Sequence, residues 1–310
     1  MPVPKVERVT QTAILGESPH WEPKEKALYW VDIPGCEVRR YDPVTQEETG
    51  IKIDDTPVSF VLPVVGRKGQ FVIGHGHDVA VLSWDGRSAS PSGLQTLARV
   101  DTAPGQEAHI LNDGKADATG RLWAGTLGTR RGPGDFEPGA GSLYSLTRGH
   151  DLKKQLTGLT IANGLAWSHD KTLFYYIDSP TKRVDVFDFD VADGNIANRR
   201  TAFDFVANHV EGVPDGMTID ADGMLWVACF GGNQVVRCDP STGKLLARVP
   251  IPALKVTAVA FGGERLDELF VTTAHKDSTA AQRQAYPQAG SLFRVRDLGV
   301  TGVLAHPVVV

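Results

Sequence analysis

The chain has 310 residues, which is too long for a minimal disulfide-stapled scaffold and enough to bury a large core as one big domain or two ordinary ones. Hydrophobic residues at 41% and charged residues at 22% sit near globular averages and argue against a disordered chain or a coiled coil. Lys plus Arg total 32 against 37 for Asp plus Glu, a net charge of -5, so the basic surface of a nucleic-acid binder is missing.

No apolar run approaches the ~20 residues needed to cross a bilayer, and the opening MPVPKVERVTQTAIL lacks the apolar core of a signal peptide. A soluble, cytoplasmic protein is expected. Cys36, Cys229 and Cys238 form no CxxC pair, which points away from a disulfide framework or a zinc ribbon. Cys229, within LWVACF, reads as a small buried hydrophobe.

In chain order, the runs ALYWVDI, QFVIGH, DVAVLSW, RLWAGTL, TLFYYID, RVDVFDF, MLWVACF, QVVRCD and ELFVTTA are short, aromatic or β-branched, and bounded by turn residues. With 33 Gly and 19 Pro punctuating the sequence, few segments could hold a long helix, and an all-β domain of hairpins is predicted.

The hairpins repeat. GESPHWEPKEKALYWVDI from Gly16, NDGKADATGRLWAGTL from Asn112, NGLAWSHDKTLFYYID from Asn163 and DGMTIDADGMLWVACF from Asp215 share one frame. Each opens on a small or polar residue, passes through a short strand, turns, and re-enters a strand at Leu28, Leu122, Leu173 or Leu225. The last three intervals are ten residues; the first, counted from Glu17, is eleven. Weaker copies start at Ser59 and Thr257, so the anchors Glu17, Ser59, Asn112, Asn163, Asp215 and Thr257 stand 42, 53, 51, 52 and 42 residues apart. Six units of roughly 50 residues, each with four antiparallel strands, predict a six-bladed β-propeller with a central channel, a single domain over residues 1–310. Trp84-Asp85 does not recur, which argues against a WD-type propeller. The segment Lys5 to Val9 is expected to complete the final blade beside SLFRV and VLAHPVVV.

A blade's first strand lines the channel, so the anchors should gather at one mouth of it. Asn, Asp, Ser and Thr also start strands and cap turns anywhere, but a carboxylate pair near one axis suffers repulsion and desolvation unless a cation neutralises it. Two carboxylates with amide oxygens form a hard-oxygen set suited to Ca²⁺, Mg²⁺ or Mn²⁺, with Zn²⁺ admissible at lower coordination. The same geometry assigns the turns after each second strand to the mouth: His75-Gly76-His77, Gly128 to Gly141, Ser179-Pro180, Gly231 to Asn233 and His275 to Gly290. The two longest exceed what a hairpin requires and read as lids or specificity loops. Arg130, Arg131, His77 and His275 are the substrate-contact candidates there. His109 reads as a loop cap, and Asp117 to Gly120 and Asp190 to Gly194 read as β-turns. No phosphate loop, dinucleotide fingerprint or GxSxG elbow is present.

The segments GESPHW, LYWVDI, LNDGKAD, GRLWAGT, ANGLAWS, YYIDS, PDG, LWVA and TAVAFGG, in that order over nearly the whole chain, resemble the SMP-30/gluconolactonase/luciferin-regenerating family. The resemblance implies a six-bladed propeller with one divalent cation, Ca²⁺ foremost, and hydrolysis of sugar lactones. It places the metal ligands on Glu17, Asn163 and Asp215, with Asp215 also acid/base, and a substrate contact on Asn112. The family's Arg two residues before that Asn is here Ile110, which separates this chain from the usual sugar lactone. The expectation is therefore a metal-dependent lactonase acting on a small molecule, with no nucleic acid, membrane or obligate protein partner. Its rivals are a metal-binding regulatory or scaffolding propeller without turnover, and a hydrolase of a phosphotriester or luciferin-regenerating type of substrate.

Overall fold

The computed structural model describes residues 3–10 and 12–310. Among these, one α-helix (Ala280–Ala285) and one 3-10 turn (Ser179–Thr181) are the helical elements; the rest of the regular structure is strand. The apolar runs form the middle strands. Ala27–Asp32 and Leu122–Leu127 are buried along their whole length because both sheet faces are covered, whereas the fourth strands, such as Leu152–Leu159, carry exposed charged residues.

The strands group as antiparallel meanders. Four separate four-stranded sheets begin with Gly16–Glu22, Val58–Pro63, Ile110–Ala116 and Ala162–Trp167. Apart from the two-stranded hairpin Arg130–Gly132 with Asp135–Phe136, an eight-stranded sheet holds the rest: a meander beginning with Val213–Ile219 and another beginning with Lys255–Gly262, joined through the single pair Phe230–Lys255. The leading strands lie against one another in cyclic sequence, each touching the next, and Lys255–Gly262 returns to Gly16–Glu22. Apolar clusters follow the same circuit. Ile177 and Val184 pack with Met217 and Val227, Trp226 and Val235 with Val259 and Phe293, and Trp21, Trp30 and Tyr41 with Phe270 and Leu292, so the last sheet is packed on the first. The architecture is all-β and propeller-like, as expected.

Repeated turn chemistry explains the repeated frame. Asp117 accepts the backbone N–H groups of Thr119 (2.8 Å) and Arg121 (3.2 Å) and the Trp123 indole (3.0 Å). Asp220 does the same for Asp222 (3.0 Å), Met224 (2.9 Å) and Trp226 (2.9 Å). One buried carboxylate thus closes a hairpin and pins the aromatic of the next strand, which is why DATGRLW and DADGMLW look alike. A second pair of carboxylates, in VDI and YIDS, fixes the chain just before a leading strand. Asp32 accepts from Ile14 and Leu15 N–H (2.9 and 3.1 Å), and Asp178 from Thr160 and Ile161 N–H (3.2 and 2.9 Å).

The N-terminal Lys5–Arg8 pairs with Phe293–Arg296, as the sequence suggests. Arg294 hydrogen-bonds Glu7 across that seam at 2.9 Å and holds its carboxyl below the ordinary range. The segment VLAHPVVV departs from expectation. It joins no outer strand but crosses the far end of the ring through isolated bridges, Ala116 with His306 and Val64 with Val308, preceded by Asp220 with Gly302. The reason is local: Pro307 has no N–H to offer a ladder, and Val303 and Val308 pack into two different inter-sheet clusters rather than one.

Candidate metal and substrate site at the channel mouth

The register of each leading strand slips once, at an equivalent place. The two residues that break the ladder are Ser18-Pro19, Ser59-Phe60, Asn112-Asp113, Asn163-Gly164, Asp215-Gly216 and Thr257-Ala258. Such a bulge frees a residue from pairing and re-aims its side chain. Five of the six predicted anchors head these pairs. The sixth does not: Ser18, with a left-handed φ of 49°, takes the bulge position, and Glu17 precedes it while still paired with Val31. Ser18 also stands ten residues before Leu28, so the interval of eleven counted from Glu17 carried this offset in plain view.

Small residues after the anchors let the leading strands close on the axis. A Cβ on Gly164 would lie 2.7 Å from the Asp215 carbonyl oxygen, and one on Gly216 would lie 2.5 Å from the Ala258 Cβ. Only glycine fits at either position.

This packing buries Glu17, Asn163 and Asp215, which are 7%, 4% and 6% exposed. The Asn112 amide donates to the Asn163 side-chain oxygen at 3.1 Å and to the Ala162 carbonyl at 2.8 Å, while Asn163 donates to the Ser179 hydroxyl at 2.9 Å. Burial pushes the Glu17 carboxyl well above its ordinary range, and the charges of Asp215 and then Asp113 push it further; the Ser18 N–H offsets part of this. Asp215 is raised in the same way, by burial and then by Asp113. Glu17 and Asp215 are therefore electrostatic neighbours, and among the described residues no Lys, Arg or His forms an ion pair with either. Asp113 and Lys115, both half-buried, lie on the same leading strand as Asn112. Burial raises the first and lowers the second, their opposite charges offset part of each effect, and the Lys115 amine donates to the Met217 carbonyl at 2.6 Å. A cavity of about 30 Å³ between Ser18, His20, Asp113 and Lys115 continues along the axis. Asp113 and Lys115 escaped the sequence reading, although both stand in the NDGK segment that supplied Asn112.

The donor chemistry suits a hard cation. No group of three or more His, Cys, Asp and Glu gathers at one point among the described residues, so the set is mixed: two carboxylates lacking a basic partner, beside amide oxygens. An uncompensated pair of buried carboxylates is what a dication would neutralise.

The rim candidates have mixed placements. The pairings Ile110–Leu127 and Lys255–Ala274 put the loops after Leu127 and Ala274 at the end where the anchors lie. Arg130 is engaged by Asp277 at 2.6 Å, and Arg131 by Asp135 at 2.8 Å. The His77 ring is held by the Glu107 carbonyl at 2.9 Å, and the Nδ1 of His275 is buried without a partner among the described residues. His75 is tied to Asp54 at 3.0 Å, and His109 meets buried Asp101 at 3.1 Å, a structural pairing.

A propeller-like ring of antiparallel sheets with paired acidic and amide side chains on its axis defines the class of protein. Residues 15–275 match the family "SMP-30/Gluconolactonase/LRE-like region", and the chain belongs to that family. It is 39% identical to regucalcin of Xenopus laevis over 295 residues, covering 95% of each chain, and 40% identical to regucalcin of Homo sapiens over 291 residues, covering 94% of this chain and 93% of that one. A solved luciferin-regenerating enzyme superposes with a TM-score of 0.93 at 39% identity over 99% of this chain and 100% of that chain. No helix among the described residues is long and apolar enough to cross a membrane.

Proposed function

We propose that the protein is a divalent-metal-dependent hydrolase of a lactone or related cyclic ester. The observation that carries this reading is the burial of Glu17 and Asp215 within electrostatic reach of each other and with no basic partner among the described residues, on leading strands of the same ring that carries the hydrogen-bonded amides of Asn112 and Asn163. Glu17, Asn163 and Asp215 would hold the ion, Ca²⁺ foremost, with Zn²⁺, Mn²⁺ and Mg²⁺ as alternatives. When bound, a dication supplies Lewis acidity at an ester carbonyl. Asn112, fixed against Asn163, orients the substrate at the rim of the axis. Asp215 takes the proton of the attacking water and returns one to the leaving oxygen, and its burial keeps bulk water from competing.

Treating the eight-stranded sheet as two meanders, the chain is a six-bladed single domain; the cyclic packing of the six leading strands supports that count. The three cysteines are free and buried, which supports a reducing, cytoplasmic setting. We assign no obligate macromolecular partner.

One observation favours a second reading, a non-sugar substrate. Ile110 begins the strand that carries Asn112, where the resemblance leads one to expect Arg, and an aliphatic side chain cannot hydrogen-bond sugar hydroxyls. A pH-drop assay over sugar lactones, aryl esters and a phosphotriester, run with EDTA and with Ca²⁺, Mn²⁺ or Zn²⁺ restored, separates the readings. Lactone turnover abolished by chelation and restored by metal is expected. Turnover indifferent to exhaustive chelation sinks the metal mechanism, and metal binding without turnover on any substrate leaves the regulatory propeller.

A further inference from the structure

The two long mouth loops belong to sheets that face each other across the axis. In the cyclic order of leading strands, Ile110–Ala116 and Lys255–Gly262 are three steps apart, the largest separation the ring allows. Arg130 follows the second strand of one sheet and Asp277 the second strand of the other, yet the guanidinium and the carboxylate meet at 2.6 Å. A contact of that length between opposed sheets requires both loops to reach inward over the mouth.

Both partners stand on anchored backbone. Arg130 lies in a short hairpin, paired with Phe136, whose root is fixed by Glu137 N–H to Thr129 O (2.9 Å) and Gly139 N–H to the Thr160 hydroxyl (3.1 Å). The residues before Asp277 are held by His275 and Lys276 N–H, both donating to the Ile14 carbonyl (3.1 and 2.9 Å). Asp277 itself takes a left-handed φ of 55°, and the capped helix Ala280–Ala285 follows. Fixed roots make the pair reproducible. The pair itself is weak, because its side chains keep 43% and 33% of their exposure and solvent screens them. A contact that is well placed but easily broken suits a gate rather than a structural pin.

We propose that Arg130 and Asp277 form a latch across the channel mouth that limits the size of molecule admitted to the axial carboxylates. This rests on the reading of that site given above, and makes the two residues specificity determinants rather than ligand contacts. The latch opens by parting of the two loops and closes over a small substrate; a bulky one holds the loops apart and forfeits the ion pair.

The test reads access without reference to hydrolysis. Ile110, partly exposed, pairs with Leu127 beneath the root of one loop, and the native cysteines are buried. An Ile110→Cys protein is labelled with a bulky maleimide-polyethylene glycol, alone and combined with Arg130→Ala, Asp277→Ala, or the swap Arg130→Asp with Asp277→Arg. Labelling is expected to quicken roughly fivefold in either single variant, the weight of one exposed ion pair, and to return toward the parent rate in the swap. Equal rates in all four proteins overturn the latch. In parallel, kcat/KM for a bulky aryl ester should rise in the Asp277→Ala protein, with Ile110 intact, while kcat for a small lactone holds. If labelling responds but no ester or lactone is turned over, the latch stands and the hydrolase reading falls.

Discussion

The two ends of the axis are built from opposite materials. At the mouth the chain spends its longest loops and brings the Glu17 and Asp215 carboxyl groups within electrostatic reach of Asp113, a repulsion that works against the fold. At the far end the turns are short and the segment from Gly302 to Val308 is stitched to three sheets, with Val308 buried in one inter-sheet cluster and Val303 packed against another. Stability is concentrated at one end and tension at the other. A ring of sheets tolerates this because the inter-sheet clusters carry the packing independently of whatever the axis holds.

Asp215→Asn should break the comparison most visibly at the mouth. We expect turnover to fall by roughly 10²–10⁴, the usual weight of a general base. The melting temperature in EDTA should hold or rise, since one of the crowded charges is gone. Initial rates beside scanning fluorimetry check both, and a variant that binds metal normally with full turnover removes the base role.

Deleting residues 303–310 should do the reverse. The loss of buried Val308, at ~1.5–3 kcal/mol, with smaller losses from the half-buried Val303 and Val310, lowers the urea midpoint, while KM for any turned-over ester holds. An unchanged midpoint would show that the tail is not part of the core.

Between the two ends, Gly216→Ala places a methyl 2.5 Å from the Ala258 Cβ and should cost ~1–3 kcal/mol through overpacking of the leading strands. Chemical denaturation reads this directly, and a neutral outcome would mean that neighbouring strands can part at the bulge.

The last effect, which is absent at neutral pH and grows only as pH falls, concerns His20, between mouth and tail. Burial first, then the charges of Lys115 and His306, lower its pKa to about 3. Its unfolded value is about 6.5, so between those two pH values the unfolded chain binds a proton that the folded chain refuses. The contribution is whole above pH about 6.5 and declines as pH falls toward about 3, by on the order of 1 kcal/mol per unit. Urea midpoints from neutral to mildly acidic pH should drop less steeply in His20→Gln, and parallel slopes would refute the assignment.

Much of this was readable beforehand, for identifiable reasons. The ten-residue interval from anchor to leucine is a hairpin length, and the Asp that closes it must lie six residues before a Trp if it is to reach the indole, as Asp117 and Asp220 do. Glu17 was one residue out of phase because a bulge lets two side chains compete for one position, and the strand before it gives no sign of which prevails. Asp113 and Lys115 stay hidden in the sequence for a related reason: charged residues next to an anchor look like solvated turn residues until the packing of the leading strands partly covers them. The tail was misplaced because an apolar run reports that it will be buried, not against which surface.

Local chemistry therefore determined the strands, their turns, the repeat and the family, since these depend on residues close enough in the chain to bond one another. Tertiary structure decided which side chains share the axis, that Arg130 meets Asp277 across the mouth, and where the last residues run. Those outcomes depend on distances between segments far apart in sequence, and they become definite only when the last sheet packs against the first.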